Sequence, residues 1–257
     1  MCLIIFLFNE NQHYPLIIAA NRDEFYNRET KSADIWGKDN SIIAGRDLQS
    51  LGTWMGINKN SGRFAAITNY RDPSMIKTEV KSRGVIVSSY LESELGDEEF
   101  IYRLKKEKDN YNGFNFIFGD LYKIYHYSNI SDEITIVNPG IHGVSNHLLD
   151  SPWPKLLKAK KRLSETFKSD EIINSSFDVL KDSTAFHDSE LPETGMDIKW
   201  ERILSPIFVK SEIYGTRSST IILFCKNGDI LFIERAFIDE KITKETKFII
   251  KKCNCSF

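Results

Sequence analysis

The sequence has little cysteine, no surplus of charge and no long hydrophobic run. Its four cysteines in 257 residues, Cys2, Cys225, Cys253 and Cys255, are too few for the disulfide framework of a secreted scaffold and fit a reducing, cytoplasmic compartment. The formal net charge is -2, from 34 basic and 36 acidic side chains. The most basic stretch is Lys158-Ala159-Lys160-Lys161-Arg162, so the chain has no field that attracts a polyanion and no nucleic-acid partner is expected. The apolar opening Leu3-Ile4-Ile5-Phe6-Leu7-Phe8 follows no basic stretch, is about half the length of a signal-peptide core, and runs straight into Asn9-Glu10-Asn11-Gln12. It reads as a strand, neither signal nor membrane span. Histidine is also scarce. His13, His126, His142, His147 and His187 form no metal-ligand spacing and Cys253-Asn254-Cys255 is a single close pair, so neither a metal nor a cofactor is expected.

What remains is the composition of an ordinary globular protein, with 41% hydrophobic and 27% charged residues, which excludes disorder, collagen and coiled coil. No composition break, repeat or low-complexity tract divides the chain, and one domain over 1–257 is expected. Short β-rich runs joined by polar turns dominate it. Residues 2–8 and 16–21 flank the loop 9–15 as a hairpin, and 53–58 and 63–69 flank Lys59-Asn60-Ser61-Gly62 as another. Apolar spacing predicts a helix within 81–95 and a charged, helix-favouring run another within 98–109, followed by strands at 113–120, 123–128, 134–137 and 142–145. Ser151-Pro152 offers an N-cap and a first-turn proline for a helix to about 167, with a second from Asp170 to about Lys181. Residues 183–213 lack a period and read as a long excursion or lid. Strands return at 219–225, 230–237 and 246–250. This alternation argues an α+β fold whose antiparallel sheets carry helices on segregated faces.

Cys2 is the first candidate for chemistry. A small second residue generally permits removal of Met1, which would leave a cysteine carrying its own α-amino group. An amine with an ordinary pKa near ~8 and a thiol near ~8.5 then place base and nucleophile on one residue. If the first hairpin is symmetric about its loop, facing residue numbers sum to about 24, which sets Cys2 opposite Arg22 within a residue or two. Asn21-Arg22-Asp23-Glu24 then clusters around the thiol: a guanidinium stabilises the thiolate, and a carboxylate holds or orients the amine. The alternative is a solvated strand end with one salt bridge. Asn69 and Asn146 each close an apolar or small-residue strand and could supply an oxyanion donor, or serve as turn residues. Arg217, at the entrance of a late strand, suits an acyl or carboxylate anchor, or a solvated loop.

Taken in order, several motifs resemble one family. They are Met1-Cys2, Ala19-Ala20-Asn21-Arg22-Asp23-Glu24-Phe25-Tyr26, Ala44-Gly45-Arg46-Asp47, Gly52-Thr53-Trp54-Met55-Gly56, Thr68-Asn69-Tyr70, Ser82-Arg83-Gly84, Tyr111-Asn112-Gly113-Phe114-Asn115, Gly143-Val144-Ser145-Asn146, Leu149-Asp150-Ser151-Pro152-Trp153, Gly215-Thr216-Arg217 and Glu234-Arg235. Together they resemble the NRDE family, also called transport and Golgi organization protein 2, over nearly the whole chain, with residues 183–213 matched least. The resemblance implies a fold like that of the N-terminal nucleophile hydrolases: a four-layer αββα sandwich of two stacked antiparallel sheets. By analogy with the similar choloylglycine hydrolases and penicillin V acylases, it implies Cys2 as nucleophile, with Arg22, Asp23, Asn146 and Arg217 in the catalytic set. Asn21, Glu24 and Asn69 would then bind substrate or support the site. Those hydrolases carry arginine, two variable residues and aspartate, where this chain reads Asn21-Arg22-Asp23-Glu24. Either Glu24 fills the acidic place and Asn21 the arginine's, or Arg22 and Asp23 act from shifted positions.

Members of the family are linked to Golgi organisation, secretion, lipid metabolism and haem trafficking. Two expectations follow. One is a Cys2-dependent amidohydrolase or acyltransferase acting on a linear amide or thioester. The other is a non-catalytic carrier of a hydrophobic ligand such as haem or an acyl-CoA, with haem as ligand and not as cofactor.

Overall fold

A computed structural model of the chain describes residues 2–169 and 171–252. The Cys253–Cys255 pair and the expected helix start at Asp170 lie outside the described residues.

The strand β1 (Cys2–Phe8) is apolar at every position after its first, and so is the start of β2 (Leu16–Phe25). Both faces of these strands are buried, and alternate residues enter different layers. Ile4, Phe6 and Ile18 face one core, while Leu3, Ile5 and Ile17 face another. The two strands pair antiparallel with Cys2 opposite Arg22 and Leu3 opposite Asn21, down to Phe8 opposite Leu16.

Next come β3 (Thr30–Trp36), β4 (Ile42–Asp47), β5 (Met55–Asn58) and β6 (Phe64–Asn69), then helices α1 (Gly84–Glu92) and α2 (Asp97–Glu107). Strands β7 (Phe114–Gly119), β8 (Ile124–Ser128), β9 (Glu133–Ile136) and β10 (Gly140–Val144) precede helices α3 (Pro154–Thr166), α4 (Ile172–Leu180) and α5 (Ile198–Leu204). The chain then returns through β11 (Tyr214–Phe224), β12 (Ile230–Ile238) and β13 (Lys241–Ile250). One sheet has six strands in the order β10-β1-β2-β11-β12-β13, and the other has seven, β3 through β9 in sequence order.

Among the described residues every pairing between these strands is antiparallel. Ile4, Phe6 and Phe224 of the first sheet meet Ile57, Phe64 and Ile117 of the second. Leu163 and Phe177 of α3 and α4 cover the outer face of the first sheet, while Tyr90 and Leu104 of α1 and α2 cover that of the second. The layers are helix, sheet, sheet, helix, as the resemblance implies. Among the described residues no helix is long and apolar enough to cross a membrane.

Some boundaries differ from those expected. Strand β2 runs on through Asn21-Arg22-Asp23-Glu24-Phe25 because β11 starts early enough to pair with it, Tyr214 against Phe25 and Gly215 against Glu24. Gly215 is required there, since a Cβ would fall 2.2 Å from the Tyr26 hydroxyl. Ser151-Pro152 does not cap α3. Pro154 takes the first turn after Trp153, and the Ser151 hydroxyl is engaged by His147 Nδ1 at 2.7 Å. The excursion at 183–213 contains α5, whose N-cap Asp197 accepts the Lys199 amide at 2.8 Å. Seven residues are too few to show a helical period.

Phe64 is 1% exposed and packs edge-to-face on Phe224 across the two sheets, with ring centroids 6.0 Å apart. Phe64→Ala is expected to lower the free energy of unfolding by about 3–5 kcal/mol in equilibrium denaturation. A loss below ~1 kcal/mol would mean that the inter-sheet core is not the packed layer described.

Candidate active site

The first residue of β1 and the last residues of β2 and β6 reach the same end of the sandwich. There a cleft of about 120 Å³ is lined by Cys2, Arg22, Asp23, Glu24, Arg28, Asp47, Thr53, Trp54, Ile67, Thr68, Asn69, Ser82, Arg83 and Gly84. The N-terminus of α1 closes one side, made possible by two glycines in contact: a Cβ on Gly52 would stand 2.4 Å from the carbonyl carbon of Gly84. Cys2 is half-buried. Burial pushes its thiol up from the ordinary value; the charge of Asp23 adds to that rise and the charge of Arg22 opposes it.

Pleating divides the four polar residues of β2. Arg22 and Glu24 continue the face of Ala20, toward the second sheet, whereas Asn21 and Asp23 continue the face of Ala19, toward the helices. Arg22 is buried, with its guanidinium 4.3 Å from the Trp54 ring centroid. It donates to Thr30 Oγ1 at 3.1 Å and to Asp47 Oδ2 at 3.3 Å. Arg28 donates to the same Asp47 oxygen at 2.6 Å. The Asp47 carboxyl lies below the usual range: desolvation acts against this, and is outweighed by the Arg28 and Ser50 hydrogen bonds and by the charges of Arg28 and Arg22. Glu24 stands 3.8 Å from each of the two arginines.

Asp23 is buried and accepts the Thr216 hydroxyl at 2.7 Å, while its backbone carbonyl accepts the Tyr214 hydroxyl at 2.8 Å. Burial raises its carboxyl above the ordinary range, and the charge of Lys155 opposes that rise. Lys155, in the first turn of α3, is itself buried and donates to the Leu204 carbonyl at 3.0 Å. Desolvation and then Arg71 lower its ammonium to about 8, against the pull of Asp23, Cys2 and Glu201. Arg71 pairs with Glu201 of α5 at 2.5 Å, both side chains being buried.

Of the residues singled out from sequence, Cys2, Arg22, Asp23, Glu24 and Asn69 share the cleft. Asn146 lies behind Asn69: its amide donates to Asn69 Oδ1 at 2.8 Å, and its own Oδ1 accepts Arg71 at 3.2 Å. Asn21 is turned to the helical layer, where it donates to the carbonyls of Leu180 and Ile207 at 2.8 and 2.9 Å and accepts Ser219 at 2.6 Å. Arg217 sits at the β11 bulge between Thr216 and Ser218. Its Nη1 donates to the carbonyls of Phe25, Tyr26 and Arg28 at 3.0, 3.1 and 3.2 Å, holding the turn that follows β2.

Sequence reasoning assigned no role to Arg28, Asp47, Trp54, Arg83, Lys155 or Glu201. Asp47 and Arg83 lie in short motifs that end or begin elements, as Arg22 does, and that placement was a usable signal. Lys155 reads as one more surface lysine of a basic helix, and only α5 folding over it makes it buried. Among the described residues no group of three or more histidine, cysteine, aspartate or glutamate side chains is placed to hold a metal ion.

Comparison with known proteins bears on the whole chain. A family model described as Transport and Golgi organisation 2 matches residues 1–239. The Transport and Golgi organization 2 homolog of Mus musculus is 34% identical over 270 residues, covering 95% of this chain and 96% of the relative. The homolog of Homo sapiens is 35% identical over 270 residues, covering 95% of each. A solved structure described as Anbu from Hyphomicrobium sp. strain MC1 aligns with a TM-score of 0.37 and 11% identity, covering 96% of this chain and 87% of that one.

One further buried acid faces the charges at this end of the sandwich. Glu234 is 1% exposed between the sheets, accepts the Ala33 amide at 2.6 Å, and is pushed by burial up to about 7 despite that bond and the charge of Arg22. A carboxyl held protonated only in the folded chain contributes stability that is complete below its ordinary pKa of 4.5 and is lost as pH rises through about 7. Glu234→Gln does not titrate, so its stability relative to the wild type should improve by about 3 kcal/mol between pH 4 and pH 8. Urea denaturation across that range measures it, and a difference independent of pH would show that Glu234 titrates normally.

Proposed function

The chain belongs to the Transport and Golgi organisation 2 family, and from that premise we propose that it is a Cys2-dependent amidohydrolase or acyltransferase acting on a linear amide or thioester. The observation that carries this reading is the pairing of Cys2 with Arg22 across the hairpin, with Asp23 lining the same polar cleft. Removal of Met1 would free the α-amine of Cys2. That amine takes the thiol proton, the sulfur attacks the carbonyl carbon, and a C–S bond forms. As the tetrahedral intermediate collapses, the bond to the leaving amine or thiol breaks and the ammonium returns the proton to that group. Water or an acceptor amine then resolves the acyl-enzyme.

In this scheme Arg22 stabilises the thiolate and Asp23 holds the ammonium. Asn69 serves as the oxyanion donor: with its side-chain oxygen committed to Asn146, it has its amide N–H group left to donate. Asn146 positions Asn69, and Arg217 holds the turn that carries Arg28. The carrier alternative, for haem or an acyl-CoA, calls for a roomy apolar cavity. At Cys2 itself the cleft is about 120 Å³ and lined mostly by polar and charged side chains, which favours chemistry on the thiol over a carrier pocket at that place. The free thiols of Cys2 and Cys225 suit the reducing cytoplasm in which we place the protein.

Intact-mass and N-terminal peptide spectrometry after exposure to 4-nitrophenyl butyrate tests this reading. The expected result is a mature chain beginning at Cys2, acylated on that residue, with acylation at least 100-fold slower in Cys2→Ser. Retained Met1, or equal acylation of Cys2→Ser, would overturn it.

A further inference from the structure

The cleft at Cys2 opens into a second, wider groove of about 350 Å³, and Asn69 and Arg83 line both. Apolar side chains dominate the groove: Tyr70, Met75, Ile76, Ile130 and Met196. Met75 and Ile76 are 45% and 71% exposed, more than large apolar side chains need to be beside a site unless something covers them.

Arg83 stands at the junction of the two cavities, and its charge balance differs from that of its neighbours. Arg22 and Arg28 share the carboxylates of Asp47 and Glu24, and Arg71, which lines the groove, pairs with Glu201. Arg83 has no carboxylate in salt-bridge range among the described residues. It donates Nη1 to the Gly113 carbonyl at 2.9 Å, which fixes the guanidinium plane and leaves Nη2 and Nε as donors. Desolvation lowers its pKa from the ordinary arginine value, while the charges of Cys2 and Glu24 act the other way. A half-buried guanidinium without a counter-charge is costly unless a ligand supplies one. It also directly precedes Gly84, the first residue of the nine-residue helix α1, whose positive end favours an anion at the same place.

We propose that Arg83 is the specificity-determining residue for an anionic oxygen group, carboxylate or phosphate, on the substrate, and that the adjoining groove holds a hydrocarbon arm of the same molecule. The substrate class is then a linear amphiphile with an anion within a few atoms of its scissile carbonyl. This placement of the carbonyl rests on the Cys2 reading above, whereas the head-group and chain preferences do not.

Calorimetric titration of the Cys2→Ala protein separates the two. Decanoate and decyl phosphate present the two head groups, decanol the chain alone and acetate the anion alone. One of the two long anions is expected to bind at one per chain, at least tenfold tighter than decanol and acetate, and the stronger of the two identifies the head group. Arg83→Gln should reduce that binding to the level of decanol, Arg83→Lys should keep part of the head-group preference, and Ile76→Asp should abolish the gain from the long chain. Equal binding of decanol and both long anions overturns the proposal, even where a variant fails to fold. So does unaltered binding in a folded Arg83→Gln. Tight anion-selective binding in a protein whose Cys2 is never acylated would overturn the hydrolase reading alone; acylation of Cys2 without such selectivity would overturn this one alone.

Discussion

Strands β1 and β2 are buried on both faces, and this fixes their register more strictly than any turn could. A slip of one residue would send Ile4, Phe6 and Ile18 from the inter-sheet core into the helical layer and bring Leu3, Ile5 and Ile17 the other way. The site inherits that constraint. Cys2 faces Arg22 because the six pairs that follow it, Leu3–Asn21 to Phe8–Leu16, permit no other arrangement. Pairing of β11 along the other edge of β2 then extends the ordered strand through Glu24 and brings Thr216 and Tyr214 onto Asp23.

Around that pair the protein arranges charge in two groups on opposite sides of the first sheet. Toward the second sheet, Arg22, Arg28, Asp47 and Glu24 neutralise one another in a partly solvated cleft. Toward the helices, Asp23, Lys155, Arg71 and Glu201 form a buried set, and half of it is covered or supplied by residues 183–213: Glu201 reaches Arg71 and the Leu204 carbonyl takes Lys155. Buried pairs of this kind add little net stability, and removing one member leaves the other uncompensated. Their consequence is positional. The excursion is fastened to the end of the sandwich next to Asp23, so the environment of Cys2 depends on α5 staying docked.

Much of this was legible in the sequence for physical reasons. Apolar runs of six and five residues, Leu3 to Phe8 and Leu16 to Ala20, each ending abruptly in polar ones, gave the first hairpin, and symmetry about its loop set Cys2 opposite Arg22 to within a residue or two. The helix at 84–92 followed from apolar spacing and that at 97–107 from a charged, helix-favouring run. Strands β3 and β4 were not legible: Thr30-Lys31-Ser32-Ala33-Asp34-Ile35-Trp36 is a half-exposed edge, and the pairing is irregular between Lys31 and Asp34. Pleating separated Asn21 from Arg22, which sequence clustering had joined. Arg217 donates Nη1 to three backbone carbonyls at the β11 bulge, partners that no local sequence pattern announced. Lys155 lacked any local signal, and the motif around Arg83 marked a helix start without showing which distant carboxylates fail to reach it, since what distinguishes both is the presence or absence of charges contributed by distant segments.

Burial and the charge of Asp23 raise the Cys2 thiol, and the charge of Arg22 lowers it. The most direct test is the rate of iodoacetamide alkylation of the N-terminal peptide as a function of pH, read by mass spectrometry so that Cys225 does not contribute. Arg22→Gln should move the midpoint to higher pH and Asp23→Asn to lower pH. Midpoints that coincide in wild type and both variants would show that neither charge acts on the thiol.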